Sequence, residues 1–214
     1  MGEPVIIYGK SGSGKSRSLK NFASDEITLI NVERKSLPFR KRFKYTVVSD
    51  SYPKIIKALN KMPTKTAVID DAGYLLTNTF MRGHSKRGAG SNTFDLYNDI
   101  GDRFWELFQE VKNLPEDVIV YIIMHEEESN NGHYKLKTLG KMLENIVCVE
   151  GMSTIAIRCM CRDSKHFFRT KTEGDDITKT PEDMFSETEI ENDLKAVDTA
   201  IRKYFFEYEE DNQQ

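Results

Sequence analysis

The stretch PVIIYGKSGSGKS, residues 4–16, decides how the rest of the chain is read. Its first part, PVIIY, is a short continuous apolar run closed by glycine, the mark of a strand buried on both faces of a parallel sheet. Its second part has the form G-x-x-x-x-G-K-S. A phosphate chain needs several donors that approach without steric conflict, and consecutive backbone N–H groups in a glycine-rich bend supply them. Gly9, Lys10, Ser11, Gly12, Ser13, Gly14, Lys15, Ser16 and Arg17 are therefore the expected nucleotide-binding positions. Lys15 is expected to reach the β- and γ-phosphates of ATP, and Ser16 to offer its hydroxyl to Mg²⁺. SGKSRSLKNFA then predicts a helix with Leu19, Phe22 and Ala23 on its inner face, its positive end aimed at the phosphates.

Such a loop calls for a second apolar strand that ends in an acid. TAVIDD, residues 66–71, provides it, with Asp70 as the expected Mg²⁺-supporting carboxylate. Asp71 either shares the same water shell or caps the next turn. Hydrolysis also needs a group that orients or deprotonates the attacking water, and two positions compete for it: Asp71, and Glu33 at the end of LINVE. His125 closes the apolar run VIVYIIM at a third strand end, where it is expected to bond the γ-phosphate or the water.

Between these points the chain alternates. EITLINVE and YTVV read as strands, and SDSYPKIIKALNKM as a helix with Ser51 at its cap and Pro53 in its first turn. Residues 77–93, polar and glycine-rich, read as a long mobile loop. From Phe94 a helical period sets in: Tyr97, Ile100, Phe104, Leu107, Phe108, Val111. Residues 126–141 read as a second polar loop. NIVCVE, STIAIRCMCR and KHFFRTKT read as three further strands, the last two a hairpin. A closing helix is expected over about residues 187–208, with Ile190, Leu194, Val197, Ile201 and Phe205 inward and a disordered tail at 209–214. The expected fold class is α/β: one domain over residues 1–214, a mainly parallel central sheet flanked by helices, with a C-terminal antiparallel hairpin and helix.

Composition narrows the function. The chain has 214 residues and a net charge of −3, which alone argues neither for nor against nucleic acid. No apolar run approaches the roughly 20 residues of a membrane span, and no basic-then-apolar leader precedes the first strand, so a cytoplasmic protein without a membrane partner is expected. Three cysteines do not suit a disulfide framework. Cys159 and Cys161 fall on one strand face, with His166 opposite Cys161. Without a C-x-x-C spacing they read as small buried apolar residues rather than as zinc ligands. Basic residues cluster at 33–44 and 82–88. In the first polar loop Arg82, Lys86 and Arg87 stand near Phe80. The second loop carries His133, Tyr134, Lys135, Lys137 and Lys141. Cations track a phosphate backbone and rings stack on bases, so both loops suit single-stranded DNA, although Glu126, Glu127 and Glu128 work against it.

Taken in order, GKSGSGKS, NVE, AVIDDAGYL, IIMHEEE with GHYKLKTLGKML, and KTPEDMF with ENDLKAVDTAIRKYF resemble the RecA-like core ATPases. The chain is most similar to the small phage-encoded, AAA-type nucleotide-binding proteins of the single-strand-annealing recombinase group. The resemblance covers nearly the whole chain, and only the first motif is specific by itself. It implies a RecA-like P-loop core and a catalytic role for Glu33. It also implies a metal role for Asp70, and a sensor role for His125 where RecA has glutamine. It further implies single-stranded DNA held by the two polar loops, ATP near the interface of a ring or filament of copies, phage recombination or replication proteins as partners, and a bacterial host cytoplasm. Arg169 or Lys171 on the terminal hairpin is a candidate for reaching a neighbour's γ-phosphate. A small-molecule kinase and a nucleotide-gated adaptor or loader are the rival functions. The kinase reading lacks a clear R-x-x-x-R lid, and NKMP at Asn60 lacks the Asp of a guanine-specific loop.

Overall fold

The computed structural model describes residues 1–87, 91–139, 143 and 147–207; of Lys86, Arg87 and residues 91–93 it describes the backbone alone. Among these, nine strands form one sheet. They are β1 (Glu3–Gly9), β2 (Ile27–Asn31), β3 (Tyr45–Val48), β4 (Thr66–Asp70), β5 (Ile119–Glu128), β6 (Tyr134–Leu136), β7 (Ile155–Arg162), β8 (Lys165–Arg169) and β9 (Glu189–Glu191). Their order is β3-β2-β4-β5-β1-β7-β8-β9, with β6 paired to β5 outside this path. From β3 to β7 every pairing is parallel; β7-β8-β9 and β5-β6 are antiparallel. The expected fold class is thus the observed one.

The apolar runs explain this sheet. Along β1, Val5 and Ile7 face one core while Ile6 and Tyr8 face the other, and all four are fully buried. A strand with no solvent face must lie in the middle, and β1 does, between β5 and β7. One face is covered by α1 (Tyr52–Leu59), α2 (Gly73–Arg87) and α3 (Ser91–Lys112). The other is covered by α4 (Leu194–Phe206), through Leu194, Val197 and Ile201, together with Leu19 and Phe22.

Several elements differ from the sequence reading. The segment after the phosphate loop is a short 3₁₀ helix, Ser16–Asn21, with Ala23 exposed beyond its end. Phe22 turns to extended backbone to bury its ring, and Ser18 donates to the Lys15 carbonyl at 2.6 Å, a local bond that competes with α-helix. Ser51 does precede α1, but its side chain makes no cap bond. The expected first loop, residues 77–93, is helical wherever it is described. Leu75 and Leu76 anchor α2 in the core, and Phe80 stacks on Tyr97 of α3. Gly83 lets Leu96 approach, since a Cβ there would lie 2.6 Å from Leu96 Cδ1.

The expected second loop, residues 126–141, is in its first part a hairpin. Glu126, Glu127 and Glu128 continue β5 and pair with Leu136, Lys135 and Tyr134. NIVCVE is not a strand among its described residues; Val149–Met152 is a 3₁₀ turn entered through Cys148 in the left-handed region. The last helix begins at Leu194 rather than near 187, because Asp193 caps it by accepting from the Lys195 and Ala196 amides. Ile190 reaches the core from β9 instead. The expected disordered tail and Lys141 lie outside the described residues.

Candidate nucleotide-binding site

In a parallel sheet the strand ends gather at one edge. Register places Gly9 of β1 opposite His125 of β5, and Asn31 of β2 opposite Asp70 of β4. The loop after β1 bends back over this edge. Gly12 and Gly14 hold φ of +79° and +104°, values that side chains avoid. At Gly9 the demand is for close approach: a Cβ would lie 2.2 Å from the Cys159 carbonyl oxygen. The loop is clasped from below by two donors to the Ser13 carbonyl, His166 Nδ1 at 2.7 Å and Cys159 Sγ at 3.2 Å. His166 therefore carries its proton on Nδ1, and its contact is with the loop rather than with Cys161, its register partner. Cys159 is buried and Cys161 exposed. Among the described residues no cluster of three or more His, Cys, Asp or Glu could hold a metal ion. The exposure of Cys161 corrects the expectation that both cysteines are buried, since β7 runs out of the core at its last residues.

Lys15 lies over the loop, buried, with Nζ donating to the carbonyls of Gly9 and Lys10 at 2.8 Å each. Burial pulls its pKa down, with the carboxylates of Asp71 and Asp70 among the groups that oppose the change. Its third near neighbour is His125 Nδ1 at 3.3 Å. On its other side His125 Nε2 lies 3.4 Å from Asp71 Oδ1. An ammonium only donates, so Nδ1 accepts and Nε2 carries the proton toward Asp71. His125 thus bridges Lys15 and the second acid.

The two adjacent acids have opposite characters. Asp70 accepts from Ser16 Oγ at 2.9 Å. Burial, then the charge of Asp71, push its carboxyl up to about 6 against the pull of Ser16 and Lys15. Asp71 is also raised by burial, but hydrogen bonds from His125 and Lys35 outweigh this and hold it down to about 2. Lys35 Nζ sits 2.8 Å from Asp71 Oδ2. Asp71 adopts φ +61°, and this left-handed residue turns the chain from β4 into α2. Ser16 and Asp70 are hard oxygen donors and fit Mg²⁺, which takes one or two protein oxygens plus phosphates and waters.

Lys15, Ser16, Asp71, His125, Lys35 and His166 line one cavity of 320 Å³. Glu33 does not line it. The Glu33 carboxylate accepts from Asn78 Nδ2 of α2 at 2.8 Å and lines a neighbouring hollow with Asp50 and Arg82. A larger cavity of 730 Å³ shares Arg17 and His166 with the loop cavity and continues between the β7–β8 turn and Asn192.

A sheet-edge loop backed by a lysine, a Ser–Asp pair and a polar residue on the next strand is what a family match at this place would have to explain. The family described as AAA domain matches residues 2–158. The chain belongs to this family. The AAA domain supplies β1 to the first half of β7 and with them the phosphate loop, Asp70, Asp71 and His125. It is a nucleotide-binding, P-loop ATPase domain, and ATP binding follows from it. None of the curated proteins compared with the chain matches it. His166 and Asn192, which touch the loop or its Arg17, lie beyond the matched residues.

The sequence reading missed Lys35 and His166. Lys35 stands two places after Glu33 inside a basic run, where nothing distinguishes it from a solvated lysine. The signal for His166 was its place opposite Cys161, which points to the right sheet edge and the wrong partner. Of the basic residues expected on DNA, Arg82 is ion-paired with Asp50, and Lys135 lies 3.2 Å from Glu127. The Tyr134 ring packs against the Arg158 guanidinium at 3.7 Å and lies 5.0 Å from Lys10 Nζ. Lys137 is exposed, while the side chains of Lys86 and Arg87 lie outside the description. Arg169 does not face outward. Only 6% exposed, it pairs with Asp175, Asp176 and Glu173 of its own chain, which removes it as a group for a neighbour's phosphate; Lys171 remains exposed.

Proposed function

We propose that the protein is a Mg²⁺-dependent ATPase that binds single-stranded DNA in an ATP-linked way and serves phage recombination or replication in the bacterial cytoplasm. The observation that carries this reading is the position of His125. Its ring lies between Lys15 and Asp71, and its strand runs on without a break into the β5–β6 hairpin. The His125 carbonyl accepts from the Lys137 amide at 2.8 Å, where the hairpin returns. Lys10 of the phosphate loop lies 3.7 Å from Glu128 on the same hairpin. A γ-phosphate that draws Lys15 away from the Gly9 and Lys10 carbonyls changes what His125 and Lys10 hold, and both lead into the hairpin.

In this reading ATP lies along the loop with its triphosphate under Lys15 and its nucleoside half in the cavity shared by Arg17 and His166. Ser16 and Asp70 hold Mg²⁺, which when bound neutralises phosphate charge. Phosphoryl transfer asks the protein mainly for positioning and charge, so a carboxylate held near 2 suits orienting a water better than taking its proton. Asp71 is assigned that role, oriented by His125, with Lys35 as a cation beside it. Copies of the chain assemble around the site, with Lys171 as the exposed cation left for a neighbour's phosphate.

The test is the affinity for a fluorescent oligo(dT) with ADP and with a non-hydrolysable ATP analogue, each with Mg²⁺. Binding at least several-fold tighter with the ATP analogue is expected. Equal affinity in both states removes the ATP linkage.

A further inference from the structure

One basic cluster of the sequence is used by the nucleotide site only through Lys35. Residues 33–44 carry six cations, Arg34, Lys35, Arg40, Lys41, Arg42 and Lys44, against a single acid, Glu33, and interleave them with Leu37, Phe39 and Phe43. In the fold this segment joins β2 to β3 with neither helix nor strand of its own and lies at the sheet edge that ends in β3. Two of the cations are engaged, Lys35 by Asp71, and Lys41 by the carbonyls of Lys20 and Phe22. Arg40, Arg42 and Lys44 are exposed and have no carboxylate partner among the described residues. Like charges held together without counter-charge repel one another, and a polyanion relieves that repulsion.

Beside them is a cavity of 730 Å³, lined among others by Leu37, Phe39, Arg40, Arg42 and Phe43. The Phe39 and Phe43 rings meet edge to face at 6.5 Å, and Phe39 is half-buried. An apolar aromatic wall beneath arginines suits a flat ring attached to a phosphate chain. A duplex keeps its bases stacked inside, and an acidic peptide brings charge without a ring. Single-stranded nucleic acid brings both. The segment is also tied to the nucleotide, because Lys35 and Pro38 line the phosphate-loop cavity while Leu37 and Phe39 line this one. Successive side chains therefore face the two sites.

We infer that residues 34–44 form a single-stranded nucleic-acid site, with Arg40, Arg42 and Lys44 on the backbone and Phe39 against a base, whose occupancy is linked through Lys35 and Pro38 to the nucleotide site. This rests on the ATP-linked DNA reading above and moves a main contact from the α2–α3 region to the β2–β3 connection.

The experiment measures anisotropy of a labelled oligo(dT) on the full chain, with Mg²⁺ and the ATP analogue, across a potassium chloride series. The combined variant Arg40→Ala, Arg42→Ala, Lys44→Ala is expected to lose about tenfold or more in affinity at low salt. Its salt slope should fall by about 2, at roughly 0.7 per lost phosphate contact. Phe39→Leu should weaken binding while leaving the slope unchanged, and an abasic oligonucleotide should lose affinity on the wild type but not on Phe39→Leu. A triple variant with wild-type affinity and slope overturns the inference while leaving the DNA reading intact. So does equal competition by duplex DNA or polyglutamate. A wild type that binds no single strand in any nucleotide state overturns both.

Discussion

Asp70 and Asp71 are chain neighbours with the same side chain, yet the fold divides their work. Asp70 titrates near 6 when folded, against an ordinary 3.8. The folded chain thus holds this proton more tightly than the unfolded one. The contribution to stability is full below the unfolded value and is lost as pH rises through about 6. At pH 8 the ionised, buried carboxylate therefore costs about 3 kcal/mol. Asp70→Asn keeps an acceptor for Ser16 and should raise the Tm at pH 8 without raising it at pH 4, by calorimetry; the same variant should lose the Mg²⁺ dependence of ATP affinity. Lys15→Ala should abolish ATP binding in titration calorimetry. For hydrolysis, Asp71→Asn should cut turnover at least about a hundredfold with ATP affinity nearly kept, as for a group acting chiefly in the transition state. Glu33→Gln should leave turnover within a few-fold. The reverse pattern in single-turnover phosphate release would restore Glu33 to the role that its resemblance implies.

At the scale of elements, the sequence shows most where burial is two-sided. β1, β4 and β5 as far as Met124 carry unbroken apolar runs, and α3 carries a full helical stripe from Leu96 to Val111. What was hidden is polar structure held by local bonds. Along α2, Thr79 bonds the Leu75 carbonyl, Arg82 the Asn78 carbonyl, and His84 the Phe80 carbonyl, while few residues reach the core. Such a helix has no apolar period and reads as a loop. The hairpin beyond His125 was hidden likewise, since three glutamates do not look like a strand until Lys135 and Tyr134 lie across from them. The loop, Asp70, Asp71 and His125 were legible because each ends or follows an apolar strand. Lys35 and His166 were not, because the fold brings them to the loop from elsewhere. One further element has a measurable anchor: Asp193 caps α4, and Asp193→Ala should cost about 1 kcal/mol, read as a lower midpoint in urea.

Across the whole molecule, a buried charge network joins the family-matched part to the rest. Arg158 of β7 donates to Glu126 at 2.8 and 3.1 Å and lies 3.3 Å from Asp176, with all three nearly out of solvent. Hydrogen bonds and charge from Glu126, with help from Asp176, raise the arginine's pKa in spite of burial. Tyr8 is tied to the same region through Thr178 at 2.7 Å. Removing one member leaves its partners charged and buried, so Arg158→Met should destabilise the fold by about 3–5 kcal/mol, whereas an exposed pair such as Lys65–Asp117 should contribute under about 1. The network sits at the root of the β5–β6 hairpin and beside the segment that leads to β9, so the sheet edge bearing the phosphate loop, the hairpin and the C-terminal clasp are connected. No helix among the described residues is long and apolar enough to cross a membrane.

The most direct measurement is steady-state phosphate release from Mg-ATP by the wild-type chain and by Lys15→Ala, each with and without oligo(dT). The account predicts turnover in the wild type that rises with single-stranded DNA, and none in the variant. Wild-type release no faster than that of Lys15→Ala, with DNA or without it, would contradict it.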